Sequence, residues 1–168
     1  TKKQIKASIQ EIGNQLKRQA DLIPNLTESV KGYMEHEEEI FEKLTEARKG
    51  ALEAASSGSL NAMNKAAEAL TKALSPIRAV FESTPQLQAM EVVKSLMDNL
   101  RDTADKVSYS RRLLIDLVAD FNTKIATFPG LVFAKLFKFT EEKGIESPEE
   151  GTHLKVDQKE LETPKVQL

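Results

Sequence analysis

Asp21-Leu22-Ile23-Pro24-Asn25-Leu26 and Ser83-Thr84-Pro85 are the stretches that decide how this chain of 168 residues folds. Each places a proline within a long run of helical periodicity. Proline removes a backbone donor and disfavours helical geometry in the residue before it. Ser56-Ser57-Gly58-Ser59 adds a third interruption. These breaks divide the chain into helical lengths that can pack beside one another.

Apolar residues recur at intervals of three and four between the breaks, as one face of an amphipathic helix requires. After Pro24, Asn25 is followed three residues later by Glu28, which matches a capping box. Asn25 is therefore expected to begin a new helix. The predicted helices cover about residues 2–22, 26–56, 60–83 and 85–128, with a kink at Pro76 in the third.

The first predicted helix is expected to fold back on the second through the turn at Ile23-Pro24-Asn25. One kinked helix running through Pro24 is the open alternative, although it leaves the first segment little to pack against. Folding back gives an all-α, antiparallel four-helix up-and-down bundle with long helices crossing at about 20°. In that topology the first helix begins where the fourth ends. A short segment at 131–138 is then expected near the N-terminus.

Composition and charge narrow the class of protein. Hydrophobic residues make up 40%, charged residues 30% and aromatic residues 5%, which favours a helical globular protein. A net charge of −2 argues against a nucleic-acid binder, which needs a basic surface. The absence of cysteine excludes a disulfide framework and any thiolate metal site. No apolar run approaches the roughly 20 residues needed to cross a bilayer.

The chain divides by composition into a bundle over 1–139 and a tail over 140–168. The tail is polar and acidic and contains several glycines and prolines, which is typical of a segment without a packed core. At the other end, Lys2, Lys3 and Lys6 form a basic start without an acidic neighbour. This start is either a solvated helix end or the cytoplasmic flank of a membrane helix.

His36, surrounded by glutamates, is the one cluster that resembles a metal site. A di-iron bundle needs Glu-x-x-His on two helices, but Tyr33 stands three residues before His36. A solvated acidic face is therefore expected, with no metal. No nucleophile elbow, phosphate-binding glycine loop or catalytic cysteine occurs either. We expect no catalytic residues, no cofactor and no enzymatic activity.

Two arginines lie on or beside apolar stripes, Arg111 in the fourth predicted helix and Arg48 in the second. An arginine that faces a bundle interior needs a carboxylate partner, because an unpaired buried charge is costly. Glu37 is the expected partner of Arg111, and Asp21 is another candidate. The pairing is expected to be a structural ion pair that fixes the helix register. A ligand or switch site and simple surface exposure are the alternatives.

The segment Leu131–Phe139 carries three phenylalanines, two leucines and a valine, with Lys135 and Lys138 between them. One interpretation is a lid that closes the open end of the bundle. The other is an interfacial membrane contact through Leu131, Phe133, Leu136 and Phe137.

Several stretches resemble the signature of the LemA family: Leu16-Lys-Arg-Gln-Ala-Asp-Leu-Ile-Pro-Asn-Leu26, Val30-Lys-Gly-Tyr33, His36-Glu37, Ala47-Arg48, Glu82-x-x-Pro85-x-Leu87-x-Ala89, Arg111, Asn122-Thr123 and Phe128-Pro129. The resemblance spans about residues 10–139. Its polar or signature positions are Arg18, Asp21, Pro24, Asn25, His36, Glu37, Arg48, Arg111 and Asn122.

The resemblance implies a bacterial helical-bundle domain on the cytoplasmic side of the cell membrane, behind a single N-terminal transmembrane helix that would precede Thr1. The molecular function of such proteins is unsettled. We therefore expect a membrane-tethered interaction or scaffold domain with a protein partner still to be identified. A ligand-binding or enzymatic bundle using Arg111, Arg48, Glu37 and His36 is one alternative. A soluble oligomeric structural protein is the other.

Overall fold

The structure is a computed structural model that describes residues 2–34 and 37–144. Those residues contain helices and no strand, so the predicted all-α class is confirmed. The helices are α1 (Lys2–Val30), α2 (Glu38–Ser57), α3 (Leu60–Ser83), α4 (Pro85–Ala89), α5 (Glu91–Ala126) and α6 (Gly130–Leu136), with a 3₁₀ turn at Lys31–Tyr33.

The prediction that the chain reverses at Pro24 is wrong. Helix α1 continues through Pro24 to Val30, and Asn25 lies inside it rather than at its start. The reversal falls instead after Val30, between α1 and α2. The physical reason is packing, since Ile23, Leu26 and Val30 continue the apolar stripe and are almost completely buried. The burial of that stripe outweighs the local preference for a break at the proline.

The second proline break is real, but the helix after it is shorter than predicted. Pro85 opens the five-residue α4, and Met90 then adopts an extended backbone before α5 begins. The stretch 85–128, which was predicted as a single helix, thus contains two helices, α4 and α5, and the second of them ends at Ala126. The break between α2 and α3 agrees with prediction. Gly58 takes the left-handed conformation at φ 68° that ends α2, and the Ser59 hydroxyl accepts a hydrogen bond from the amide of Ala62.

The two longest helices, α1 and α5, pack antiparallel along most of their lengths. Their buried positions alternate by three and four residues, the spacing of a coiled-coil seam. On α1 the buried positions with this spacing are Ile5, Ser8, Ile12, Leu16, Gln19, Ile23, Leu26 and Val30, and Gly13 and Ala20 are buried beside them. On α5 they are Val93, Leu96, Leu100, Thr103, Val107, Ser110, Leu114, Val118 and Phe121. The Gln19 side chain donates to the Leu100 carbonyl across this seam at 3.4 Å.

The hairpin of α2 and α3 packs against α1. Gly13 of α1 lies against this hairpin, since a Cβ there would lie 3.2 Å from Met63 Cε and 3.5 Å from the Ala55 carbonyl oxygen. Ala55 and Met63 flank the connection between α2 and α3, so the hairpin ends beside Gly13. The first turns of α1 and the last turns of α5 therefore continue past the hairpin and form one end of the molecule.

Candidate functional site

The start of α1 and the end of α5 meet at this end. Lys2 Nζ lies 2.8 Å from Glu142 Oε1. The same ammonium lies 5.3 Å from the ring centroid of Phe121 and 5.5 Å from that of Phe139, within cation–π range. The expected proximity of the start of the first helix and the end of the longest helix is thus observed, although the chain reverses after Val30 rather than at Pro24.

Helix α6 is held against the end of α5 through a glycine. A Cβ on Gly130 would lie 1.8 Å from the carbonyl oxygen of Lys124, so no larger residue fits without a backbone shift. The Leu131 amide then donates to the Thr127 carbonyl at 2.8 Å. This close approach explains why the short helix begins at Gly130, one residue before the predicted start of the segment at 131–138.

Residues 137–144, which we name the strap, fold back from α6 onto α5. Asn122 Nδ2 donates to the Glu142 carbonyl, and the Glu142 amide donates to Asn122 Oδ1, both at 3.0 Å. The side-chain amide of Asn122 thereby bonds both the backbone N–H and the backbone C=O of Glu142, as the backbone of an adjacent β-strand would. Through Glu142, residues 140–144 are joined to α5 and α1, within the stretch that was predicted as a tail. Residues 145–168 lie outside the described part.

The large apolar side chains of α6 and its neighbours face solvent, and we name them the α6 surface. Ala134 is the single buried residue of this helix. Phe128 is 84% exposed, Leu136 72% and Phe137 64%. A lid would bury such side chains against the bundle, so the exposure opposes that interpretation. The α6 surface comprises Phe128, Leu131, Val132, Phe133, Leu136, Phe137 and Phe139.

Exposed lysines lie at the same end of the molecule as the α6 surface. Lys135 and Lys138 lie on and just after α6, where with Ile125, Leu131, Phe139 and Glu141 they line a cavity of about 460 Å³. Lys3 and Lys6 lie exposed in the first two turns of α1. This arrangement of apolar side chains with a basic rim suits a surface that is partly apolar and partly anionic.

The polar constellation predicted around Arg111 is not brought together. Tyr33 Oη lies 3.8 Å from Met90 Sδ, so the start of α2 and Glu37 lie beside the beginning of α5. Arg111 is roughly 30 Å further along α5 at about 1.5 Å per residue. The predicted ion pair between Arg111 and Glu37 is therefore wrong, and half-buried Arg111 makes no ion pair with any described residue.

The remaining described signature residues near Pro24 are on α1 and α2. Arg48 is half-buried on α2 and donates to the backbone of α1, whereas His36 falls outside the described residues. The side chains of Arg18, Asp21, Pro24 and Asn25 are exposed along α1. The interior of the bundle is a hydrophobic core in which the side chains of Leu16, Leu44, Leu70 and Leu114 are almost completely buried. In the described residues, no three His, Cys, Asp or Glu side chains converge as a metal site would require.

Sequence reasoning missed three residues that shape this end of the molecule. The structural role of Glu142 was not predicted, because this residue lies in a polar stretch that resembles a tail. Gly130 follows a proline and reads as an ordinary turn residue, because only its distance from Lys124 shows the requirement for glycine. Lys2 reads as part of a solvated helix end, and its three contacts come from residues more than a hundred positions away.

The sequence matches the family model of the LemA family over residues 8–160. Because this match covers most of the chain, the protein belongs to the LemA family, as the signature residues predicted. No curated protein matches the sequence. Within the residues that the structure describes, no helix is long and apolar enough to cross a bilayer.

Proposed function

We propose that this LemA-family protein is a non-enzymatic interaction domain that works at a membrane, with the α6 end of the bundle against the bilayer. The observation that carries the proposal is the exposure of seven large apolar side chains in residues 128–139. Such a cluster is unusual on a protein surface unless it meets a partner or a membrane. Moving the exposed part of each side chain into the interface contributes on the order of 1 kcal/mol.

The topology supports this orientation. Helix α1 begins beside the strap, as the ion pair between Lys2 and Glu142 shows. The membrane helix expected from the family resemblance would therefore enter the bundle at the same end as α6. Both contacts would then lie on one side of the molecule. The opposite end and the charged faces of α2 and α3 would remain free to bind a protein partner.

Co-sedimentation with liposomes tests the membrane contact. Wild-type protein is expected to pellet with vesicles, and the Phe133→Ser/Phe137→Ser variant is expected to remain largely in the supernatant. A matched control is Val92→Ser/Tyr109→Ser, which removes two equally exposed apolar side chains of α5 away from α6. This control should pellet like the wild type. Equal partitioning of the wild type and the α6 variant would refute the proposal, provided that both show the same helical circular dichroism.

The protein partner is testable separately. Crosslinking of the anchored full-length protein in its native membrane, followed by identification of the crosslinked species, should recover one partner reproducibly. Photo-crosslinkers placed at exposed positions of α2 and α3, such as Glu46 and Lys72, should capture it. Placement on the α6 surface should yield lipid adducts instead. Capture of a protein by α6 and of none by α2 or α3 would contradict the proposed orientation.

A further inference from the structure

The lysines at the α6 end fall into two groups according to their partners. Lys2 is paired with Glu142, and Lys124 Nζ lies 2.6 Å from Asp120 Oδ2. These two charges are neutralised within the protein. The second group has no ion pair with any described carboxylate and consists of Lys3, Lys6, Lys135, Lys138 and Lys143.

The excess of positive charge is local. Residues 2–6 and 120–144 together hold seven lysines against three carboxylates, those of Asp120, Glu141 and Glu142. The whole chain has the opposite balance, with 24 basic and 26 acidic side chains. The only strongly apolar exposed segment of the described chain thus coincides with a basic patch on an acidic protein.

We infer that the α6 surface selects anionic phospholipid bilayers over neutral ones. The inference rests on the proposed membrane function and adds the class of lipid. Lys135 follows Leu131 by one helical turn and precedes Leu136, so its stem lies along the apolar face while the ammonium can reach the headgroups. Lys138, at the start of the strap, supplies a second unpaired charge beside Phe137 and Phe139.

The two parts of the contact make different contributions. The phenylalanines and leucines enter any fluid bilayer and have no preference for headgroup charge. The lysines add attraction only where the surface potential is negative, and each strengthens binding roughly fivefold near such a surface. Two lysines should therefore account for a preference of at least about tenfold, and salt should weaken it because exposed charges are screened.

Binding of the full chain to two kinds of vesicle tests the inference. One kind is pure phosphatidylcholine, and the other contains about 30% phosphatidylserine, near the range of a cytoplasmic leaflet. The wild type should bind the anionic vesicles at least tenfold more tightly, and high salt should remove the difference. Lys135→Gln/Lys138→Gln should weaken binding to anionic vesicles by at least about tenfold and leave binding to neutral vesicles unchanged. Lys72→Gln/Lys94→Gln, at exposed lysines away from α6, should change nothing.

The outcomes separate this inference from the proposed function. Equal binding of the wild type to both vesicle types, with binding still lost in Phe133→Ser/Phe137→Ser, would overturn the lipid selectivity and leave the membrane contact intact. That result is also expected if the chain's own carboxylates already neutralise these lysines. A preference that Lys135→Gln/Lys138→Gln retains in full would overturn the assignment to these residues. Failure of the wild type to bind either vesicle would overturn both proposals.

Discussion

Arg48 Nε of α2 donates a hydrogen bond to the carbonyl oxygen of Ala20 of α1, 3.0 Å away. Ala20 stands four residues before Pro24, so its carbonyl is the one that the missing amide of Pro24 leaves without a helical partner. Ala20 is buried, and a buried carbonyl without a donor is costly. Arg48 therefore supplies from another helix the hydrogen bond that proline removes, which lets α1 continue to Val30.

This relationship predicts that the effects of changes at Arg48 and Pro24 depend on each other. Arg48→Met keeps an apolar stem and removes the donor, and it should lower the free energy of unfolding by about 1–3 kcal/mol. In a Pro24→Ala background, the amide of residue 24 can bond the Ala20 carbonyl, so the same change should cost clearly less. Urea unfolding of the four proteins measures the coupling. Arg78→Met, at an exposed arginine of α3, is the control, and an equal cost of Arg48→Met in both backgrounds would contradict the account.

The pairing of Asn122 with Glu142 predicts a local effect on the strap. Asn122→Ala removes both hydrogen bonds, and it should destabilise residues 140–144 by about 1–2 kcal/mol while leaving the seam of α1 and α5 intact. Hydrogen exchange at the Glu142 amide should accelerate, and global unfolding should change little. Asn99→Ala removes an amide that bonds only within its own helix, so it should leave that exchange unchanged. Unaltered protection in Asn122→Ala would show that other contacts hold the strap.

Gly130 should tolerate no side chain. The gain in helix propensity from Gly130→Ala, at most about 1 kcal/mol, is outweighed by the clash of its Cβ with the Lys124 carbonyl. We expect α6 to shift away from α5 and to become more sensitive to limited proteolysis. Gly144→Ala is a matched control in the same end of the protein, since a Cβ there would make ordinary contact with Val118 at 3.6 Å. Proteolysis of the two variants at the same rate would contradict the steric argument.

Near the start of α2, Glu39 and Lys43 form an ion pair that shifts the pKa of both groups. A hydrogen bond from Lys43, together with its charge, lowers the pKa of Glu39 below its ordinary value of 4.5. The reciprocal contact raises the pKa of Lys43 above its ordinary value of 10.5. The glutamate contribution to stability is present above its unfolded pKa and is lost as the pH falls through the lower folded pKa. The lysine contribution is present below its unfolded pKa and is lost as the pH rises through the higher folded pKa.

The stabilisation from this pair should therefore be constant between the two ordinary values and decline on both sides. Glu39→Gln should unfold at a slightly lower temperature than the wild type at neutral pH, and the difference should shrink below pH 4.5. Salt should reduce it as well, because both side chains are exposed. Melting curves across pH measure the difference. A difference that grows in acid would contradict a lowered pKa for Glu39.

The sequence predicted those features that depend on neighbours along the chain. The stripe of Leu70, Leu74 and Ile77 placed the third helix at 60–83, which are the bounds of α3. Gly58 and Ser59 marked its boundary with α2 through left-handed geometry and capping. The signature residues identified the LemA family, which the family model confirms. In each case the signal lies within a few residues, where backbone preference and helical spacing decide the structure.

Three features depend on residues far apart in the chain, and only the tertiary structure decided them. From its neighbours alone, Pro24 predicts a helix end. The donor that replaces its missing amide belongs to Arg48, 28 positions from Ala20, so the local sequence does not show it. In the sequence, Asn122 resembles a surface residue and Glu142 resembles part of a tail. Only the fold brings the Asn122 side chain to the Glu142 backbone. An apolar run such as Leu131–Phe139 has the same composition whether it is buried or exposed. Its exposure follows from the place where α1 and α5 extend past the hairpin, because α2 and α3, as the described residues place them, end before they reach α6.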